Sequence, residues 1–411
     1  MATPRDERLL QAIQATSAFV SAHLSALHAP DWGWTKAAGP LRRATTTLYH
    51  VRVVEVIRSL NQGGSQQLLI HRLHTEVARS HTTTIVNTLP QETELAGLLP
   101  SECGVLNLGG LTQRRNERLL LSEIRNCNPD VVVVHSPLPA TIIKAGVALG
   151  LIRQPVVEIL HNTKYTHRSV KLASVLLNPF SDLSIAVSSG VAQSSVAWFA
   201  RKVVVSHQGI PLALLRQWAA ENIDWVLGVR MMTGMAPEDL MITICGRLVK
   251  EKCHADLLRA VAGVPGTRLL IIGDGPMRRE LELLAENLGI TKRTLFLGQQ
   301  QDGWRYIAAA DLVCLPSKYE GLGIVLVEAL ALGKPCLASD IPGIRDVIDH
   351  SVNGLLHHPG DIESIRQALA ALSADRARLF DYARGAERSA ARWDVGAAAV
   401  AFYSLLANVL E

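Results

Sequence analysis

The sequence predicts an α/β protein built from two doubly wound parallel sheets, and three observations point there. Short β-branched runs alternate with helical runs from about residue 47 onward. The runs are apolar throughout rather than every second residue, as expected of strands covered on both faces. The pattern starts afresh near Leu240, so the alternation describes two halves rather than one long sheet. A length of 411 residues with 48% hydrophobic and 19% charged residues supplies cores for two or three domains.

The first half gives strands at 51–57, 83–87, 131–135, 156–160, 183–187 and 203–206, with amphipathic stretches such as 66–78 and 119–127 between them. The second gives strands at 241–245, 268–272, 294–297, 312–315 and 335–338. These divide the chain into a lead-in at 1–46, a first domain at 47–208, a linker at 209–236, a second domain at 237–390 and a closing segment at 391–411. A final helix runs from about 395 to 410 after Trp393-Asp394 and is expected to cross back to the first domain. Within the lead-in, Leu9, Leu10, Ile13, Phe19, Val20, Leu24 and Leu27 form one helical stripe, followed by a turn-rich segment with Trp32 and Trp34. A packing helix or a dimer contact is the plain expectation. A helix lying on a membrane is the other, and its polar face is poor in Lys and Arg.

Composition narrows the function classes. A net charge of +4 suits an anionic small ligand or an acidic membrane surface and is too weak for nucleic acid. The six cysteines are scattered with no C-x-x-C pair, as in a reduced cytoplasmic protein. No apolar run reaches the roughly 18 residues of a membrane span. A cytoplasmic location is expected, compatible with peripheral attachment at the inner membrane face.

In open α/β sheets ligands bind beyond the carboxyl ends of the strands, so the residues just after strands carry the chemistry. The most informative stretch runs from Glu320-Gly321-Leu322-Gly323-Ile324 to Glu328 and on to Gly333-Lys334-Pro335. A glycine turn opening a helix offers free amides and the positive end of a helix dipole to a phosphate. Were the whole stretch helical, Glu320 and Glu328 would stand about 12 Å apart along the axis and about 80° apart around it. They then share no proton. They fit two anchors on a long ligand, Glu320 on the turn and Glu328 on the helix, with phosphate between. A nucleotide sugar has that shape.

After the strand at 241–245, Arg247 can fork onto two phosphate oxygens and Lys252 can add a point charge. Gly273 and Gly275, in Gly273-Asp274-Gly275-Pro276, let a backbone or a flat ring come close, although alone this fits a structural turn equally well. In the first half, Gly63 and Gly64 open a helix after the first strand. They do not form the dinucleotide fingerprint, and a plain tight turn accounts for them equally. His161 follows the strand at 156–160 and can hydrogen-bond a sugar hydroxyl, and only this position separates it from His71, His74, His81, His135, His167 and His207. No Asp-x-Asp pair stands ready to hold a divalent cation, Cys253-His254 lacks a partner at zinc spacing, and no P-loop or G-x-S-x-G occurs. No metal and no cofactor are expected, so Arg247, Lys252 and backbone amides must neutralise a departing diphosphate.

From about Val51 to Leu410 the chain resembles the retaining glycosyltransferases of family 4, of the group 1 glycosyl transferases. Gly246-Arg247-Leu248 with Lys252, Ile272-Gly273-Asp274-Gly275-Pro276, Phe296-Leu297-Gly298, Ala310-Asp311, Pro316-Ser317, Glu320-Gly321 with Glu328, Gly333-Lys334-Pro335 and Asn353-Gly354-Leu355-Leu356 occur in that family's order. Gly63-Gly64, His161-Asn162, Val187-Ser188 and Gln208-Gly209-Ile210 are looser marks. The resemblance implies the GT-B fold, two Rossmann-like domains facing a central cleft. It also implies transfer of a sugar from a nucleoside-diphosphate sugar, UDP by frequency, to an acceptor hydroxyl with the anomeric configuration kept.

By the same resemblance Arg247 and Lys252 hold the diphosphate and Glu328 the ribose. Glu320 with the amides of Gly321, Leu322, Gly323 and Ile324 holds the sugar and phosphate, and His161 faces the reacting carbon. Gly63 and Gly64 shape the acceptor side. Leu322 stands where the family often has Phe. Rival readings are another GT-B enzyme, such as a sugar-nucleotide epimerase or a phosphorylase, and a sugar-nucleotide-binding protein without catalysis.

Overall fold

The computed structural model describes residues 50–61, 63–89, 94–109, 114–164 and 168–411. The lead-in helix expected within residues 1–46 lies outside these residues.

The first half alternates β1 (Arg52–Ile57), α1 (Gly64–Leu73), α2 (Glu76–Arg79), β2 (Thr82–Asn87), β3 (Gly104–Asn107), α3 (Arg114–Cys127), β4 (Val131–Val134), α4 (Pro137–Ala148), β5 (Val156–Leu160), α5 (Arg168–Leu176), β6 (Leu183–Ala186), α6 (Ser189–Ala192) and β7 (Val203–Val205). Then come α7 (Leu212–Glu221) and α8 (Ile223–Met232). The second half holds β8 (Leu240–Cys245), α9 (His254–Ala262), β9 (Thr267–Ile272), α10 (Arg278–Asn287), β10 (Thr294–Gly298), α11 (Gly303–Ile307), β11 (Leu312–Leu315), α12 (Ile324–Ala331), β12 (Cys336–Ser339), α13 (Pro342–Arg345) and β13 (Gly354–His357). The chain ends with α14 (Ile362–Ala374), α15 (Arg376–Ala390) and α16 (Val395–Leu410).

Every strand pair in both sheets is parallel. The orders are β3-β2-β1-β4-β5-β6-β7 and β10-β9-β8-β11-β12-β13. Each sheet therefore reverses direction once, between β1 and β4 and between β8 and β11. That is where a crevice opens at the carboxyl ends of the strands. The expected GT-B fold of two Rossmann-like domains is what the chain adopts.

Four local features add to or differ from the sequence reading. β3 was not foreseen: Gly104-Val105-Leu106-Asn107 is a mostly exposed edge strand, so its residues lack the apolar run that marks a buried one. Asn353-Gly354-Leu355-Leu356, given no secondary structure above, largely forms β13, an edge strand paired in register with β12 from Cys336↔Gly354 to Ser339↔His357. The helical stretch at 66–78 is two helices, because Thr75 caps α2 through its own side chain and breaks the run. The linker expected at 209–236 carries α7 and α8, and Arg230 of α8 pairs with Asp311 at 2.9 Å.

α16 begins at an Asp394 cap whose side chain accepts from the Ala397 amide. It lies against the first half, where Tyr403 stacks on His81 and Phe402 lies under the Arg72 guanidinium. One apolar core holds side chains of both halves, among them Ile185, Val191, Leu326 and Ile344.

Candidate active site

The two switch points face each other. A Cβ placed on Gly64, first residue of α1, would meet the Ile324 side chain of α12 at 2.9 Å. Two helix starts, one from each half, thus converge. Neither is capped by a side chain among the described residues. Leading amides of a helix have no intrahelical acceptor, so both ends present donors and positive dipole ends to the same place.

The turn before α12 is shaped by two glycines. Gly323 holds φ +78°, a left-handed conformation costly to a residue with a Cβ. Gly321 packs so tightly on the first half that a Cβ there would lie 1.8 Å from the His161 carbonyl oxygen. The Ser188 hydroxyl donates to the Gly321 carbonyl at 2.5 Å. Further out, Asp346 takes the Ser189 amide at 2.6 Å and stands 3.1 Å from His207 Nε2.

Lys252 ends a 3₁₀ turn after β8, and Cys253, at φ 53°, reverses the backbone into α9. A left-handed non-glycine residue persists only where its surroundings hold it, and Cys253 is buried. The ammonium of Lys252 donates to Glu320 Oε1 at 2.5 Å, and the Ser317 hydroxyl donates to the same oxygen at 2.7 Å. The Lys318 amide donates to the Glu251 carbonyl, which joins the two loops. Arg247 is exposed and pairs with no described residue. Gly273 and Gly275 back onto the carbonyls of Gly246 and Leu248, the close backbone approach that the sequence allowed.

Glu328, on the second turn of α12, is 6% exposed, and its carboxyl makes no hydrogen bond to a described residue. Burial, reinforced by Asp302, pushes its carboxyl up to about 8 from an ordinary 4.5. A carboxyl hidden without a partner awaits donors from outside the chain.

The structure thus brings Glu320, Gly321, Leu322, Gly323, Ile324, Lys252, Gly64 and His161 to one cleft, with Arg247, Gly273 and Gly275 on adjoining loops and Glu328 behind the turn. Gly63 stands just before α1 in an ordinary extended conformation.

Three first-half residues were not singled out. Glu55, in mid-β1, is fully buried; its Oε1 takes Arg72 Nη2 at 2.5 Å and its Oε2 lies 2.5 Å from His135 Nε2. His135 Nδ1 lies 3.1 Å from His161 Nε2. A glutamate inside Val-Val-Glu-Val-Ile was the available signal for Glu55. His135 directly follows β4, and the positional rule that selects His161 selects it equally.

Residues 232–389 match the family model described as glycosyl transferases group 1. The lipopolysaccharide core biosynthesis glycosyltransferase LpsD of Rhizobium meliloti is 37% identical over 142 residues, 34% of this chain and 41% of that protein. The D-inositol 3-phosphate glycosyltransferase of Mycobacterium marinum is 33% identical over 179 residues, 42% of this chain and 37% of that protein. The aligned stretches therefore span less than half of either relative. Among solved structures, Anabaena Alr3699/HepE in complex with UDP and glucose superposes with a TM-score of 0.74 at 21% identity, covering 87% of this chain and all of that one. WaaG, a glycosyltransferase involved in lipopolysaccharide biosynthesis, gives a TM-score of 0.67 at 16% identity over 86% of this chain and 99% of its own.

Proposed function

We propose that this chain is a retaining, metal-independent glycosyltransferase of family 4. It moves a glycosyl group from a nucleoside-diphosphate sugar, with UDP as the favoured nucleotide, to an acceptor hydroxyl. The observation that carries this reading is the meeting of two uncapped helix starts beside the Lys252–Glu320 pair, with Glu328 buried and unpartnered behind them. That arrangement suits a diphosphate at the amides and a ribose at Glu328. The group 1 match over 232–389 and the UDP bound in the Anabaena protein support the same assignment.

Arg247 and Lys252 supply fixed positive charge to the diphosphate as the glycosyl bond breaks, which replaces the usual task of a divalent ion. Glu320, held by Lys252 and Ser317, orients the sugar rather than attacking it. The leaving phosphate takes the proton of the acceptor hydroxyl on the same face, so the anomeric configuration is kept. His161, neutral because burial pushes it down to about 3, can only exchange hydrogen bonds with sugar hydroxyls. Gly63 and Gly64 bound the acceptor side, Gly273 and Gly275 the base side. We place the enzyme in the cytoplasm; no helix among the described residues is long and apolar enough to cross a membrane.

A thermal-shift screen of nucleotides and nucleotide sugars, followed by transfer assays on the best binder, tests the reading. Stabilisation by UDP or another nucleoside diphosphate with acceptor-dependent release of that diphosphate is expected. Conversion of the donor without acceptor, or binding with no turnover across broad acceptors, overturns it. Trapping of a glycosyl–Glu320 adduct with a fluorinated donor overturns the assigned role of Glu320.

A further inference from the structure

Four side chains from four elements line up behind the cleft: Arg72 of α1, Glu55 of β1, His135 after β4 and His161 after β5. The Glu55 carboxyl is held below its ordinary value. Burial opposes ionisation, and Arg72 and His135 together outweigh it. The carboxylate therefore accepts on both oxygens, and His135 must carry a proton on Nε2 to approach Oε2 at 2.5 Å. The remaining nitrogen of His135 faces His161 Nε2 at 3.1 Å, with the rings stacked at 22°.

Only two proton arrangements satisfy that contact. If His135 is neutral, its Nδ1 accepts from His161 Nε2–H, and His161 shows the substrate a lone pair on Nδ1. If His135 is a cation, its Nδ1–H donates, and His161 shows an N–H instead. One proton on a residue that touches no substrate thus decides whether His161 accepts or donates.

Arg72 decides which. Its guanidinium is almost fully buried, sits 3.6 Å from the centroid of the Phe402 ring, and already neutralises Glu55. A second buried cation at His135 would leave the cluster with unbalanced positive charge. The other titratable groups near the cluster are Cys103, whose thiol burial raises, and Tyr403 of α16, whose phenol burial pushes up to about 12. Both stay neutral near pH 7.

We infer that Glu55, Arg72 and His135 are positioning residues that hold His161 in a single neutral tautomer, Nε2–H toward His135, so that its Nδ1 accepts a hydrogen bond from a sugar hydroxyl. The inference rests on the glycosyltransferase reading for the identity of the hydroxyl, but the tautomer does not depend on that reading. The same arrangement explains why a charged pair is buried in the first sheet, where an apolar pair of similar volume would stabilise the fold equally well.

The test is nitrogen NMR of the full chain labelled with ¹⁵N-histidine, beside kinetics. In the wild type His161 is expected to carry its proton on Nε2 and not to titrate between about pH 5.5 and 8.5. Glu55→Gln frees His135 to accept from the new amide, which moves its proton to Nδ1 and flips His161 to Nδ1–H. A loss of about 10- to 100-fold in kcat is expected, with nucleotide affinity unchanged. Arg72→Met removes the guanidinium that holds Glu55 Oε1, and a lower kcat with nucleotide affinity unchanged is expected. His135→Asn, whose amide can bridge Glu55 and His161, is expected to retain more activity than His135→Phe. A wild-type His161 protonated on Nδ1 overturns the proposal, as does a Glu55→Gln protein whose tautomer and kcat match the wild type. A protein that shows the expected tautomer but turns over no nucleotide sugar leaves the inference standing and overturns the functional reading instead.

Discussion

Glu328→Gln removes a charge without changing shape, and its consequence can be worked through pH. With a folded pKa of about 8 against an ordinary 4.5, the native protein keeps a proton that the unfolded chain has released throughout that window. Stability therefore falls as pH rises from about 4.5 to 8, because the unfolded state binds fewer protons. The gap between 4.5 and about 8, at ~1.36 kcal/mol per pH unit, makes a wild-type penalty of roughly 5 kcal/mol at pH 8 and above. Glutamine carries no such penalty. In differential scanning fluorimetry without nucleotide, the melting temperatures of wild type and Glu328→Gln should therefore converge near pH 5. They should separate by roughly 10 °C in favour of the variant near pH 8.5. Nucleotide reverses the ranking: ribose hydroxyls donating to Glu328 favour its ionised form, so UDP should stabilise the wild type far more than the variant. Near pH 7 its binding should release close to one proton, measured by calorimetry in buffers of different ionisation enthalpy. A melting-temperature difference that stays flat from pH 5 to 8.5 would refute the reasoning.

Arg247→Ala and Lys252→Ala should each weaken nucleotide binding by ~1.5–3 kcal/mol, the worth of a charge-assisted hydrogen bond, and slow transfer by orders of magnitude. Isothermal titration and steady-state rates check this, and wild-type turnover in either variant sinks the assignment. Chelation with EDTA should leave transfer intact; complete loss restored by Mn²⁺ would show that the two cations do not suffice. Gly321→Ala places a methyl group 1.8 Å from the His161 carbonyl, so the halves must part or the turn must move. Lower kcat and a larger radius of gyration by solution scattering are expected, and an unchanged rate with unchanged scattering would disprove the tight contact.

The second-half elements of the candidate site were legible in the sequence because they are local. Arg247 and Lys252 lie in one strand-to-helix loop, and Glu320, Gly321 and Gly323 lie in another, with Glu328 on the helix that follows. Each loop announces itself by glycine and charge directly after an apolar strand, so spacing alone places the side chains. The edge strands β3 and β13 were harder to see. A strand with one solvent-facing edge carries mixed residues, and nothing in Gly104-Val105-Leu106-Asn107 separates it from a loop. Ser317 was visible only as a neighbour of Glu320, since its hydroxyl matters through a three-residue bend that only coordinates reveal.

The first-half cluster was illegible for a different reason, and that reason bears on function. Glu55 and His135 are 80 positions apart, His135 and His161 are 26 apart, and Arg72 arrives from a separate helix. No window of sequence contains them; the strand order β1-β4-β5 does, because it sets these three strands side by side. Charge burial on this scale is costly unless geometry is fixed, and fixed geometry is what the proposed orienting role of His161 requires. The second-half part of the candidate site is built from groups that a local motif can encode, whereas the first-half part is built from groups that only the completed sheet assembles. A mutation that slips β1 or β4 in register would therefore be expected to disable orientation while leaving nucleotide affinity to the other half.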